Sequence, residues 1–119
     1  MRNDDESVEA LLPLPPATFH ILLAVAGDER HGYAIIQDVE ASTNGELRLS
    51  AGTLYRSIAR MVEQGLITEV AKRRTSADDE RRRYYRILPF GMEVARAEMA
   101  RLTQLVRIAR ASGLTPRTA

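Results

Sequence analysis

The chain has 119 residues, 45% of them hydrophobic, enough for one domain with a sizeable core and too few for a two-domain enzyme. It has no cysteine, which excludes disulfides and thiolate metal sites; its longest apolar run, residues 21–27, is far short of the ~18 residues a membrane span needs, and the acidic start MRNDDES is unlike a secretion signal, so a cytoplasmic protein is expected. The formal net charge of +1 conceals a strong asymmetry: residues 1–47 carry two arginines against nine acidic residues, residues 48–86 nine arginines and Lys72 against five, and residues 87–119 five arginines against two, a distribution that suits a polyanionic partner for the later part of the chain.

Residues 1–12 read as a disordered or extended amino-terminal arm. In LLPLPPATFHILLAVAG, Pro16 falls in the first turn of a helix and Gly27 closes it. Phe19, Leu22, Leu23 and Ala26 form one stripe with Ile21 and Val25 beside it, so this helix is expected to be central or shared with another chain. His20 has no second histidine or carboxylate spaced to share a metal with it, and no cofactor is expected. Asp28 to His31 reads as a short polar connection. A second helix runs from Gly32 to about Ser42, with Tyr33, Ile36, Val39 and Glu40 at helical spacing, and Asn44 and Gly45 end it.

Leu47 and Leu49 make a short extended link to LSAGTLYRSIARMVEQG. Ser50 is a preferred N-cap and Gly65 stands where a helix ends in a left-handed residue, which predicts a helix from about Ala51 to Gln64. Leu54, Ile58, Met61 and Val62 share its core-facing side. Thr53, Arg56, Ser57 and Arg60, spaced i, i+3, i+4, i+7, share the other. Short hydroxyls and forked arginines on one face are what reaches base edges and phosphates, which points to a DNA recognition helix; a solvated face that carries two arginines is the alternative.

Leu66 to Lys72 and Arg82 to Leu88 read as two strands, the second alternating Tyr85 and Ile87 with Tyr84 and Arg86. The polar segment between them predicts a β-hairpin wing whose arginines either grip phosphates or pair with Asp78, Asp79 and Glu80. Pro89 opens a last helix, Phe90 to about Ser112, closed by Gly113 and Pro116. Met92, Ala95, Met99, Leu102, Val106 and Ala109 recur at 3, 4, 3, 4, 3, with Leu105 and Ile108 widening the seam. A compact domain cannot cover so long a stripe, so a second copy of the same helix is expected to. The fold expected is therefore mostly α with a small two-stranded β wing: a winged helix-turn-helix over residues 13–88, a dimerisation helix over 89–113 and a tail over 114–119.

HGYAIIQDVE, LRLSAGTLYRSIARMVEQGLI and DDERRRYYRILPFG, in this order, resemble the PadR-like transcriptional regulators, a winged helix-turn-helix family, over roughly Leu14 to Gly91. The single C-terminal helix resembles the family's short branch. The resemblance implies that His31, Gly32 and Tyr33 open the second helix, that Gly52, Thr53, Leu54 and Tyr55 begin the recognition helix, and that Tyr84 and Tyr85 lie on the second wing strand. It also implies a homodimer that represses transcription at an inverted-repeat operator and, in some members, release by a small ligand. Two departures stand out. Leu88 replaces the threonine usual before the helix-opening proline, so an N-cap hydroxyl is missing; and with no tryptophan and no aromatic residue beyond Phe90, a drug site between aromatic rings at the dimer interface is not expected.

The candidate DNA-binding residues are thus Ser50, Thr53, Tyr55, Arg56, Ser57 and Arg60 on the helix and Arg73, Arg74, Arg81, Arg82 and Arg83 on the wing; the candidate dimerisation residues are Met92, Ala95, Met99, Leu102, Leu105, Val106 and Ala109. The alternative function is a winged-helix module for protein interaction without sequence-specific DNA binding. Its interface would be richer in apolar and aromatic groups than this helix face. An enzyme is not expected, since two isolated histidines and the lack of a Gly-rich phosphate loop or nucleophile elbow leave nothing to carry chemistry.

Overall fold

Among the residues that this computed structural model describes, 8–71 and 82–116, four helices and three short strands follow in the order α1 (Pro16–Ala26), β1 (Arg30–His31), α2 (Gly32–Ser42), α3 (Ala51–Glu63), β2 (Ile67–Val70), β3 (Tyr84–Ile87) and α4 (Pro89–Ala111). Pro16 opens α1 at its first position, where its missing amide hydrogen leaves no bond unmade. The buried stripe of α1 is Thr18, Ile21, Leu22 and Val25. It is rotated from the one expected: Leu22 is fully buried, but Leu23 is 55% exposed and Ala26 also faces out. The arm expected over residues 1–12 also departs from expectation at its end. Residues 8–10 form a helical turn, Val8 is buried, and Leu11 and Leu12 pack on the core, so apolar burial overrides the polarity of the residues before them.

On α2 the residues at the core are Gly32, Ile35 and Val39, with Ile36 packed beside them. Tyr33 projects outward, 63% exposed. The imidazole of His31 caps α2, its Nδ1 accepting from the Ala34 amide at 3.2 Å. The other end is closed by Thr43, whose hydroxyl donates to the Val39 carbonyl (2.8 Å) and accepts from the Leu47 amide (3.0 Å). Asn44 (φ 53) and Gly45 (φ 80) turn the chain through the left-handed region, which asparagine and glycine enter at least cost. Leu49, Leu54, Ile58 and Met61 then close the core over Ile21, Leu22, Ile35 and Val39; each such side chain contributes about 1.5–3 kcal/mol by leaving water.

The sheet has the order β1-β3-β2. β2 and β3 pair antiparallel from Ile67↔Ile87 to Val70↔Tyr84, the hairpin expected. Its third strand is the correction: the Arg30–His31 segment, expected as a connection, pairs with Tyr85 and Tyr84. Arg30 holds it in place through Asp38 (3.1 Å) and Asp28 (3.2 Å), and the His31 ring meets Tyr84 edge to face at 5.4 Å. Tyr85 is buried and Ile87 half-buried, while Arg86 faces out, the alternation that β3 predicts. Burial first, then the nearby Glu69 carboxylate, pushes the Tyr85 phenol up from its ordinary pKa and keeps it neutral at the base of the wing.

α4 begins at Pro89 with Leu88 in the N-cap position and no side-chain cap, as the missing hydroxyl predicts. The Leu88 amide instead donates to the Leu66 carbonyl at 2.9 Å. A Cβ on Gly91 would run into that same carbonyl, so only glycine lets α4 pass so close to the start of β2. Val94 is fully buried, and Glu98, four residues on, is 2% exposed. The Glu98 carboxylate accepts from the Leu14 amide (3.1 Å) and from Arg101 at both Nε (2.5 Å) and Nη2 (3.1 Å). Arg101 first, and Leu14 after it, hold this carboxyl below the ordinary glutamate range against the opposing effect of burial.

Candidate nucleic-acid interface

The outward face of α3 is built by its caps and its core stripe together. Ser50 Oγ accepts from the Thr53 amide at 3.1 Å, and Gly65 turns out of the helix at φ 78. Leu54, Ile58 and Met61 fix the inward side, all 4% exposed or less. Val62, expected on that side, is 42% exposed, because its angular position falls at the edge of the stripe that Met61 occupies. Opposite the core, Arg56 and Arg60 are exposed and Thr53 and Ser57 half-buried.

Ser50 Oγ also donates to Thr53 Oγ1 (3.0 Å), and Thr53 Oγ1 accepts a long contact from Arg56 Nη2 (3.4 Å). The Arg56 guanidinium thus folds back over the first turn, with Nη1 3.4 Å from where a Cβ on Gly52 would stand. Tyr55 is 46% exposed, and its hydroxyl lies against Gly32 at the start of α2, joining the two helices of the helix-turn-helix. Four other arginines, Arg30, Arg48, Arg83 and Arg101, each have a carboxylate within 4.0 Å, on Asp28 and Asp38, Glu40, Glu69 and Glu98. Among the described residues no carboxylate pairs with Arg56 or Arg60.

Two of the five wing arginines lie in the described part of the chain. Arg82 and Arg83 are exposed at the entry to β3, and Arg83 reaches Glu69 across the hairpin at 3.6 Å, an acid outside the loop whose three acids were the expected partners. Arg73, Arg74 and Arg81, with Asp78, Asp79 and Glu80, lie outside the described residues.

The α4 seam divides along its length. Met92 and Ala95 are half-buried, Ala95 against the core of its own chain. Past Glu98, Met99 (63%), Leu102 (37%), Leu105 (49%), Val106 (50%) and Ile108 (51%) are exposed, and Ala109 is half-buried. These exposed apolar side chains lie on the half of α4 that the core of its own chain does not cover. Sequence reasoning did not assign Gly52 to the site; the signal available was a glycine inside the first turn of an otherwise good helix. Among the described residues no group of His, Asp or Glu could hold a metal ion, and no helix is long and apolar enough to cross a membrane.

The model of the transcriptional regulator PadR-like family matches residues 21–97, well over half of the chain. Among solved structures, a PadR family transcription regulator from Clostridium difficile R20291 superposes with a TM-score of 0.69 at 20% identity, covering 82% of this chain and 97% of that one. A transcriptional regulator from Clostridium thermocellum gives 0.67 at 20% identity, covering 93% and 97%. A PadR-like regulator from Bacillus cereus gives 0.67 at 19% identity, covering 93% and 99%. At these identities the structures show a common fold. No curated protein matches the chain.

Proposed function

Because the chain belongs to the PadR-like family of transcriptional regulators, whose members are regulators and not enzymes, we propose that it is a homodimeric repressor that reads an inverted-repeat operator with α3. The observation that carries this reading is the outward face of α3, where Arg56 and Arg60 stand one turn apart, exposed beside Thr53 and Ser57, with no carboxylate partner among the described residues. Unpaired guanidinium forks on an outward helix face suit guanine edges and phosphates.

The exposed half of α4 supports self-association: two copies packed seam to seam would cover Met99, Leu102 and Val106 and place two α3 helices on one duplex. Repression follows most simply, since a dimer seated on a promoter blocks it. Selection of bound sequences from a random duplex pool tests the reading. An inverted repeat is expected, with loss of selectivity in Arg56→Ala or Arg60→Ala; a pool that yields no enriched sequence would leave the protein-interaction module as the better account.

A further inference from the structure

Gly52 is unexplained by the fold. Gly45, Gly65 and Gly113 adopt positive φ, Gly27 stands at the C-cap that ends α1, and Gly32 and Gly91 are needed because a Cβ would strike the Tyr55 hydroxyl or the Leu66 carbonyl. None of these reasons applies at position 52, inside a helix. Its φ is not positive, and a Cβ there would meet nothing nearer than Arg56 Nη1 at 3.4 Å and Ser50 Oγ at 4.0 Å, ordinary van der Waals contact. Gly52 is exposed and inside a helix, a place where alanine is better than glycine because less backbone freedom is lost on folding. The residue therefore weakens the helix without any return from its own chain.

A bare Cα that the fold does not require is useful where something outside the chain comes close. Around it lie the half-exposed Thr53 hydroxyl and the Arg56 guanidinium that folds back beside the gap. We propose that Gly52 is a positioning residue for operator recognition: its missing side chain lets a DNA strand lie directly on the first turn of α3, which brings Thr53 and Arg56 within reach of the base edges. The inference rests on the proposed DNA-binding function and deepens it. A methyl group at this point would hold the helix off the duplex by roughly its own thickness, about 1–2 Å, too much for direct hydrogen bonds of 2.7–3.2 Å to survive.

The test is Gly52→Ala in the full chain, followed by thermal unfolding and by titration of a selected operator duplex and a random duplex. The variant should melt a few degrees higher than the parent and bind the operator about tenfold more weakly, the loss of one good base contact. A merely structural glycine would move both readouts in the same direction. Operator affinity within threefold of the parent overturns the inference, and so does a lower melting temperature, which would show that the fold itself needs the glycine. A parent protein that binds neither duplex overturns the DNA-binding function together with it.

Discussion

The Glu98 carboxylate, in the middle of α4, accepts a hydrogen bond from the backbone amide of Leu14, 84 positions earlier in the chain. Arg101 completes the arrangement from the next turn, so a buried charge is paired and its acceptor capacity used. The ionised form is the one stabilised, since Arg101 and Leu14 hold the carboxyl below its ordinary range. The linked stability is therefore fully present above the unfolded value of about 4.3 and is lost as pH falls through the lower folded value. Glu98→Gln should cost about 1–3 kcal/mol at pH 7. Thermal melts of both proteins should draw together as the pH is lowered below about 4; a gap independent of pH would remove ionisation from the account.

Gly91→Ala should be destabilising by about 1–3 kcal/mol or more, because the added Cβ meets the Leu66 carbonyl and Ile87 Cγ1. Urea unfolding measures it. This is the opposite sign to Gly52→Ala on α3, and equal effects would contradict the glycine geometry.

Met99→Glu combined with Leu102→Glu should yield a folded monomer. Both side chains are at least 37% exposed in the single chain, so the protomer loses little, while unpaired carboxylates in a seam are strongly unfavourable. Light scattering reads the mass and circular dichroism the fold. Persistence of a dimer would move the interface away from α4.

Helix and wing arginines should fail differently. Arg56→Ala or Arg60→Ala should cost ~1–3 kcal/mol on operator DNA and relax preference at one position, whereas Arg82→Ala should weaken operator and random DNA alike. Melting temperatures should hold, since all three are exposed. Equal proportional losses on both duplexes for the helix variants would mean that α3 orients the protein without reading sequence.

A dimer that neutralises roughly 6 to 10 phosphates should show a slope of log K against log salt of about −5 to −9. The nine acidic residues among the first 47 favour the shallower end. Binding constants over a range of salt concentration measure the slope, and a value near zero would favour a protein partner.

What could be foreseen from sequence was what depends on neighbours a few residues away. Ser50 and Gly65 bracket α3 through local capping chemistry, and Leu88 leaves α4 uncapped for the same reason. Features made by distant partners were out of reach: β1 is a strand only because Tyr84 and Tyr85 lie beside it, and Glu98 looks like one more surface acid until the Leu14 amide is known to sit over it. Leu23 and Val62 were misplaced because helical spacing identifies a side, while tertiary packing decides where that side ends. Of the site, the α3 face followed from periodicity; Gly52 did not, since its meaning depends on there being no clash for a Cβ to meet.

The carbonyl of Leu66 receives the Leu88 amide and lies under Gly91, only a residue beyond the glycine that ends α3. Leu66, whose amide also donates to the Met61 carbonyl, thus ties α3 to α4, although more than twenty residues of chain separate the two helices. In the proposed dimer this corner would convert the angle between the two α4 helices into the distance between the two α3 helices. Half-sites on the operator should accordingly occur at one fixed separation, about one helical turn or a whole multiple of it. Whatever alters the crossing of the α4 pair, at a point remote from the DNA, would put the two reading heads out of step with the groove.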